Sequence, residues 1–284
     1  MLQEFLFGPM NLQLSLRELS NLSFQKLVFS HSAKFNSATS LEFLEHYEAF
    51  QELLSKESRS HKSSRTFAPS SFRCSRIQWF RFRGVDPDVP ENVDVSLDFA
   101  ADIGTACHRI IQSNLKNMLK DDWIYVDEYV SSILNGRYEC MLDEESGEYF
   151  VKSDDPPVKF ACDGLIRWNG EFYLLEIKTS EFNSWNNLSE PKPYHIDQVK
   201  MYCTLLDLNN VMFIYQDRHY GGLKCYEYKV RELDKQTIRS KMDYIQDCVE
   251  TGVAPNPLPK GDRWCTPSMC PYYTKCSEYG RYES

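Results

Sequence analysis

Residues 160–180 read FACDGLIRWNGEFYLLEIKTS, two apolar runs joined by Asn169-Gly170. An Asn-Gly pair between such runs is typical of a two-residue β-hairpin turn, because both residues tolerate a positive φ angle. In that turn Trp168 faces Glu171 and, five positions further along each strand, Asp163 faces Glu176. Lys178 lies two positions beyond Glu176, on the same face of the strand. The stretch therefore predicts a hairpin that carries two carboxylates and a lysine close together.

Two facing carboxylates in an apolar hairpin are unfavourable unless a positive charge lies between them. A divalent metal ion is the natural candidate, and Lys178 would add positive charge beside it. Such a site fits hydrolysis of a phosphodiester, in which Mg²⁺ or Mn²⁺ polarises the phosphate and lowers the pKa of bound water. Lys178 would position or deprotonate that water, or stabilise charge on the phosphate oxygens. The alternative is an exposed sheet face on which Glu176 and Lys178 only form a salt bridge.

The composition is that of a soluble globular protein, with 284 residues, 42% of them hydrophobic and 26% charged. No apolar run approaches the roughly 20 residues that span a membrane. Glu4 stands where a signal peptide would carry positive charge. These features predict an intracellular, cytoplasmic protein without a membrane partner. The net charge of −9 argues against a uniformly basic surface but leaves a local DNA-binding groove open.

The order of predicted elements indicates an α/β fold, a mixed β-sheet flanked by helices. Residues 122–134 fit either a helix or a strand, and the turn within 137–151 is placed at Ser146-Gly147. In the helix over 98–119 we expect Gly104 and His108 to share one face, and an apolar side made of Phe99, Ile103, Ala106, Ile110 and Leu115. The helices are predicted at 41–54, 72–82, 98–119, 194–208 and 232–250, and the strands at 137–151, 160–180, 210–216 and 223–230.

The polar stretch SKESRSHKSS, residues 55–64, reads as a linker. We therefore divide the chain into an N-terminal extension, residues 1–70, with a helix at 41–54 and a linker over about 55–70, and a main domain, residues 71–284. Residues 1–35 give a mixed pattern that fixes no element.

Basic and aromatic side chains cluster after the helix at 41–54. The first basic group reads as a solvated face or part of a nucleic-acid groove. Trp79, Phe80 and Phe82, which lie among the second group, would either stack on bases or pack their helix onto the core. The first group is Lys56, Arg59, Lys62 and Arg65, and the second is Arg73, Arg76, Arg81 and Arg83.

Ten cysteines in a chain without a signal peptide indicate reduced thiols, metal ligands or both. Cys265, Cys270 and Cys276 crowd into a Pro-containing tail that reads as a loop, which separates them from the rest. The cysteines in periodic apolar segments are interpreted as small core residues; they are Cys107, Cys140, Cys162, Cys203, Cys225 and Cys248.

The ordered motifs resemble the RecB/AddB-like branch of the PD-(D/E)XK nuclease superfamily, which includes small CRISPR-associated exonucleases and phage relatives. They are Gly104-x-x-x-His108, Asp163, Glu176-Ile177-Lys178 and Gln198-x-x-x-Tyr202, and the resemblance spans about residues 72–280. It implies a restriction-endonuclease-like core. The chain reads Ala161-Cys162-Asp163 where the superfamily name has Pro-Asp, a proline that this branch often lacks.

The same resemblance implies roles for the motif residues. His108, Asp163, Glu176 and the main-chain carbonyl of Ile177 would ligate Mg²⁺ or Mn²⁺. Lys178 would be the catalytic lysine. Gln198 and Tyr202 would support the site and the DNA strand.

The cysteines extend the resemblance, because many members of this branch hold a 4Fe–4S cluster through one upstream and three downstream cysteines. Here these would be Cys74, Cys265, Cys270 and Cys276, in a cap that joins the N- and C-terminal segments of the domain. Four residues separate Cys265 from Cys270 where relatives usually have two. Four thiolates also suit Zn²⁺, which remains the alternative. The cluster would close a loop of roughly 190 residues, a structural role.

The predicted function is metal-dependent DNA exonuclease activity on single strands or DNA ends, with additional endonuclease activity left open. The resemblance places such enzymes in recombination, repair, phage DNA metabolism or CRISPR adaptation. Expected partners are DNA, a second copy of the chain, or subunits of a recombination complex. One alternative is a catalytically idle nucleic-acid-binding subunit of a DNA end-processing complex. Another is a zinc-stabilised interaction module.

Overall fold

The computed structural model describes residues 38–59, 65–88, 95–142, 149–259 and 261–279. The expectations for residues 1–35, Lys62 and the turn at Ser146-Gly147 lie outside the described residues. Within the described ranges, no helix combines the length and apolar character that crossing a bilayer requires.

The helices follow the predicted pattern closely. The helix predicted at 41–54 runs over 38–59, so residues 55–59 are helical and not part of a linker. The α-helices of the described residues are α1 (Ala38–Arg59), α2 (Ser75–Phe82), α3 (Val95–Leu119), α4 (Val126–Ser132), α5 (Phe182–Asn186), α6 (Pro193–Leu205), α7 (Glu232–Thr251) and α8 (Tyr273–Glu278), and two short 3₁₀ helices cover Pro69–Ser71 and Lys120–Asp122.

The strands form two sheets. A five-stranded sheet has the order β1-β5-β6-β7-β8, in which β6 and β7 run parallel and the other neighbours antiparallel. A three-stranded antiparallel sheet has the order β2-β3-β4. The strands are β1 (Trp123–Ile124), β2 (Glu139–Leu142), β3 (Tyr149–Asp154), β4 (Pro157–Ala161), β5 (Gly164–Trp168), β6 (Glu171–Ser180), β7 (Asn210–Asp217) and β8 (Leu223–Lys229).

The predicted hairpin is confirmed in both turn and register. Asn169 has a φ of 52° and Gly170 a φ of 85°, the positive angles that a two-residue turn demands. Trp168 pairs with Glu171, and the pairing continues without a slip to Gly164 and Leu175. This register directs Asp163, one residue before β5, towards Glu176.

Helices cover both faces of the larger sheet, which confirms the α/β class with a mixed sheet. On one face, Leu174 of β6 packs in the main core with residues of α6 and α7, such as Val199 and Ile245. On the other face, Leu175 and Ile177 pack with residues of α3. The parallel β6–β7 pair needs a crossover connection, and α5 and α6 supply it. The sheet therefore fixes β6 from both sides.

The apolar side predicted for α3 is partly wrong. Phe99 and Ile110 are 61% and 60% exposed, whereas Ile111 is buried among residues of β5 and β6. The reason is that only a narrow face of α3 contacts the sheet, and the predicted apolar side included residues outside that face. Ala106 is exposed too, while Ile103 and Leu115 are half-buried.

The six scattered cysteines are not all core residues. Cys162, Cys203 and Cys248 are buried as predicted, whereas Cys107 and Cys140 are half-buried. Cys225 is exposed because alternate residues of the edge strand β8 face solvent.

A close contact at the start of β5 leads to a first testable expectation. A Cβ atom at Gly164 would lie 2.6 Å from Cη2 of the Trp123 ring, so Gly164→Ala forces either the ring or the strand to move. We expect a loss of about 1–3 kcal/mol in the free energy of unfolding, measured by chemical denaturation. In a Trp123→Leu background the same change should cost much less. An equal loss in both backgrounds would contradict this explanation.

Candidate active site

Asp163 makes three contacts with two elements, β6 and α3. Its Oδ2 accepts a hydrogen bond of 2.6 Å from the main-chain N–H of Ile177 on β6. Its Oδ1 lies 3.2 Å from Nδ1 of His108 on α3. Its main-chain carbonyl accepts a 2.7 Å hydrogen bond from the side-chain amide of Gln112. The carboxylate is therefore fixed at the junction of α3, β5 and β6.

Glu176 and Lys178 form an ion pair on the same face of β6, with Nζ 2.5 Å from Oε1. Glu176 is only 1% exposed. Burial raises the pKa of Glu176 to about 7; Lys178 opposes this rise and the charge of Asp163 adds to it. Burial alone would lower the pKa of Lys178, but Glu176 and Asp163 raise it above its usual value. Lys178 is accordingly a stable ammonium group in this state of the protein.

One face of α3 packs against this site through residues that are four positions apart. Gly104, His108 and Gln112 follow one another on that face. His108 and Gln112 contact Asp163, and a Cβ at Gly104 would lie 3.3 Å from Oγ1 of Thr179 on β6. A glycine thus allows the helix to approach the strand end closely. Sequence reasoning singled out Gly104 and His108 but missed Gln112.

Gln198 and Tyr202 project from one face of α6 towards the same carboxylates. The Gln198 side-chain amide donates a 3.1 Å hydrogen bond to the hydroxyl of Tyr202. Tyr202 is buried, and burial together with the charges of Glu176 and Asp163 raises its pKa well above the usual value. The predicted site residues of the hairpin, α3 and α6 therefore lie close enough together for their charges to shift one another's pKa values.

The carboxylate chemistry of this region fits a divalent cation. Oε1 of Glu176 is fully buried, and its contact among the described residues is the Lys178 ammonium at 2.5 Å. A buried carboxylate close to a second carboxylate is unfavourable, and a bound cation would offset that cost. Even so, among the described residues no three His, Cys, Asp or Glu side chains already stand in a metal-binding arrangement. Ligation by His108, Asp163 and Glu176 together therefore needs side-chain rotation.

A histidine that sequence reasoning missed lies beside Lys178. Nδ1 of His195 is 2.7 Å from the Tyr215 hydroxyl, which also accepts the main-chain N–H of Lys192 at 3.1 Å. Burial, and then the charges of Lys178, Lys192 and Arg263, lower the pKa of His195 to about 2. The ring of His195 is therefore neutral. The sequence could have indicated His195, because it lies three residues before Gln198 and therefore on the same face of α6.

The cysteines predicted to act together do line one pocket. Cys74 lies immediately before α2, Cys276 lies on α8, and both face the same space as Cys265 and Cys270. Burial raises the pKa of Cys270 to about 11, and the negative charges of the other three cysteines add to this rise. The other three cysteines are thus close enough to raise the pKa of Cys270. Among the described residues, however, the four sulfur atoms are not arranged as the ligands of one metal ion.

A buried arginine connects the two cysteine-bearing segments. Arg76 is 4% exposed and donates to the main-chain oxygens of Pro255 and Tyr279, at 2.7 and 3.3 Å. Its guanidinium also lies 3.7 Å from Sγ of Cys276. The described partners are two carbonyl oxygens and a sulfur, so this buried cation contacts no carboxylate within the described residues. A group of thiolates at the pocket would supply the missing negative charge.

The aromatic residues of α2 pack and do not form a base-stacking surface. Trp79 and Phe80 are each 1% exposed and share an apolar cluster with Cys270 and Cys276. Phe82 packs against Phe67, with ring centroids 4.6 Å apart. This confirms the packing alternative. The arginines of this segment have structural contacts as well: Arg73 pairs with Asp262, Arg81 donates to the Thr66 carbonyl, and Arg83 lies over Trp79.

Comparison with known proteins gives distant structural likenesses only. No protein-family model matches the chain, and no curated protein matches it. The crystal structure of SSO0001 aligns with a TM-score of 0.43 at 17% identity, over 76% of this chain and 90% of that one. An alkaline exonuclease (LHK-Exo) from Laribacter hongkongensis aligns with a TM-score of 0.34 at 13% identity, over 71% and 94%. Its complex with dAMP gives 0.32 at 15%, over 63% and 87%. These values are too low to establish a family, and the inference of function therefore comes from the site geometry.

Proposed function

We propose that the protein is a metal-dependent deoxyribonuclease, acting as an exonuclease on single-stranded DNA or DNA ends. The observation that carries this proposal is the buried Glu176, a carboxylate that lies beside the second carboxylate of Asp163 and is paired with Lys178. A buried carboxylate of this kind is unfavourable for stability and is characteristic of functional sites. A scaffold that only binds nucleic acid does not require it, which disfavours the idle subunit.

His108, Asp163, Glu176 and the carbonyl of Ile177 are the residues that would hold Mg²⁺ or Mn²⁺. When bound, such an ion would polarise the phosphate and lower the pKa of the attacking water. Lys178, as an ammonium group, would donate to a non-bridging phosphate oxygen and stabilise the charge that develops there. Its raised pKa favours this role over deprotonation of the water. Gln198 and Tyr202 would hold the substrate strand against these groups.

We further propose that Cys74, Cys265, Cys270 and Cys276 hold a 4Fe–4S cluster, which ties the segment before α2 to the tail around α8. The buried Arg76 cation beside Cys276 supports a thiolate centre of net negative charge. A Zn²⁺ ion on the same four thiolates would satisfy this cation too, and metal analysis of anaerobically purified protein distinguishes the two.

The direct test is digestion of DNA labelled at the 5′ or the 3′ end, single- and double-stranded, by anaerobically purified protein with Mg²⁺ or Mn²⁺. We expect Asp163→Ala to lose activity by about a thousandfold or more, because several kcal/mol of transition-state stabilisation disappear. Asp154→Ala is the matched control, since Asp154 is exposed on the smaller sheet. If the iron-loaded wild type binds DNA but cuts nothing with either metal, the idle subunit becomes the correct account.

A further inference from the structure

A cleft lies between α6 and the cysteine pocket, and the metal site does not use it. It has a volume of about 150 Å³ and is enclosed by residues from three separate segments of the chain. A cavity of about this size accommodates a six-membered aromatic ring. Tyr194 and Gln198 of α6 form one wall, Ile77 of α2 and Leu258 another, and Trp264 of the C-terminal tail the third.

The walls of this cleft offer aromatic faces together with a positive charge. The rings of Tyr194 and Trp264 lie at 66° to one another with centroids 5.1 Å apart. The guanidinium of Arg263 lies 4.7 Å from the Tyr194 ring centroid and 5.2 Å from that of Trp264. Arg263 itself is exposed to solvent. Aromatic rings beside an exposed arginine are the combination by which proteins hold single strands, through stacked bases and paired phosphates.

Hydrogen-bonding groups at the cleft indicate an occupant with both donors and acceptors on its edge. Nε1 of Trp264 is fully buried and has no acceptor among the described residues. Asp197 contributes a carboxylate acceptor and Gln198 an amide to the same cleft. A planar ring with apolar faces and a polar edge matches this lining, and a nucleobase is such a ring.

The cleft adjoins the active site through α6. Arg73, next to Cys74, pairs with Asp262, and Asp262 accepts the main-chain N–H of Trp264 at 2.9 Å. On the other side, the ring centroids of Tyr194 and His195 are 4.2 Å apart. Lys178 lies close enough to His195 for its charge to add to the effect of burial, which lowers the pKa of that ring. Gln198 borders the cleft and also donates to Tyr202 at the active site. An occupant of the cleft would therefore lie close to Gln198, which also contacts Tyr202 of the active site.

We propose that this cleft binds one nucleobase of a single DNA strand, packed against the rings of Tyr194 and Trp264, with Arg263 on the adjoining phosphate. The proposal rests on the proposed nuclease function, because the bound base positions the neighbouring phosphodiester at Glu176 and Lys178. It also assigns to the cysteine-bearing tail a direct role in holding substrate.

The test uses the full, iron-loaded protein and a 5′-labelled single strand that lacks one base at a defined position. We expect the wild type to cleave beside the abasic position about tenfold more slowly than beside an intact nucleotide. Trp264→Ala should lose about tenfold on intact DNA and show no further loss at the abasic position. A wild-type ladder that runs evenly through the abasic position, or a Trp264→Ala enzyme that retains the full abasic effect, would overturn the proposal.

Three controls separate stacking from damage to the fold or the metal centre. Trp264→Phe should recover most of the activity, because the ring is kept. Tyr194→Ala should reproduce the loss from a different segment of the chain, with unchanged iron content. Trp168→Ala, a half-exposed tryptophan at the hairpin turn, should behave as the wild type.

A binding experiment tests whether the cleft binds a nucleobase even if the protein hydrolyses no DNA. A strand that carries 5-iodouracil is photo-crosslinked to Glu176→Gln protein, and the crosslinked peptides are identified by mass spectrometry. Crosslinks at Tyr194 or Trp264 are expected. Crosslinks found only elsewhere would refute the cleft, whereas absence of hydrolysis by the wild type would refute only the nuclease function.

Discussion

Glu176→Gln is expected to lower DNA hydrolysis by about a thousandfold or more, and to remove most of the pH dependence of stability of the metal-free protein. The first effect follows because an amide is a poor ligand for Mg²⁺ compared with a carboxylate. The second follows from burial, which raises the pKa of Glu176 from 4.5 to about 7. Both effects come from the same buried oxygen atoms.

The sign of the pH effect follows from proton binding. Between pH 4.5 and about 7 the folded protein binds more protons at Glu176 than the unfolded chain does. The free energy of unfolding therefore decreases as the pH rises through this window, by on the order of 3 kcal/mol for a shift of this size. Above pH 7, bound Mg²⁺ should restore stability to the wild type, because it compensates the ionised carboxylate.

Thermal unfolding of the metal-free protein at pH 5, 6, 7 and 8, with and without Mg²⁺, measures these changes. Glu171→Gln is the matched control, since Glu171 is exposed at the other end of β6. It should keep the activity, the pH slope and the Mg²⁺ effect of the wild type. The explanation fails if Glu176→Gln keeps the wild-type pH slope, or retains more than a tenth of the hydrolysis.

The hairpin was predictable because its register depends only on local chemistry. Asn169 and Gly170 determine the turn, and the turn determines which residues face one another. The position of Asp163 beside Glu176 followed directly. The spacing of His108 and of Gln198 with Tyr202 was likewise readable, because residues four apart share a helix face.

The parts that failed depend on contacts between distant segments. The buried side of α3 could not be read from its apolar residues, because only packing against β5 and β6 decides which stripe is covered. In the same way, the sequence left open whether Trp79 packs in the core or stacks on bases, and only the fold shows that it is buried. Tyr194, which contacts Arg263 and Trp264 in the fold, lies some 70 positions before them in sequence.

Cys276→Ser is expected to lose the bound metal and to lower the free energy of unfolding by about 5 kcal/mol. The reason is that the centre would cross-link Cys74 to the C-terminal tail across roughly 190 residues, and closing a loop of this length in the unfolded chain is worth about that much. Without the centre, the buried Arg76 would also lose its nearest negative charge. Iron and zinc analysis, the visible absorption of the purified protein and chemical denaturation measure these changes.

Cys248→Ser provides the matched control, because Cys248 belongs to the same apolar cluster as Cys276 and is equally buried, yet does not line the four-cysteine pocket. Both substitutions place a hydroxyl in that cluster. The difference between their free energies of unfolding therefore measures the contribution of the cross-link. We expect Cys248→Ser to keep its metal and to lose only about 1–2 kcal/mol. If the two variants are equally destabilised and equally rich in metal, the four cysteines do not form a metal centre. The tail that carries Trp264 would then be held to the domain by contacts such as those of Arg73, Arg76 and Lys275 and by the apolar cluster.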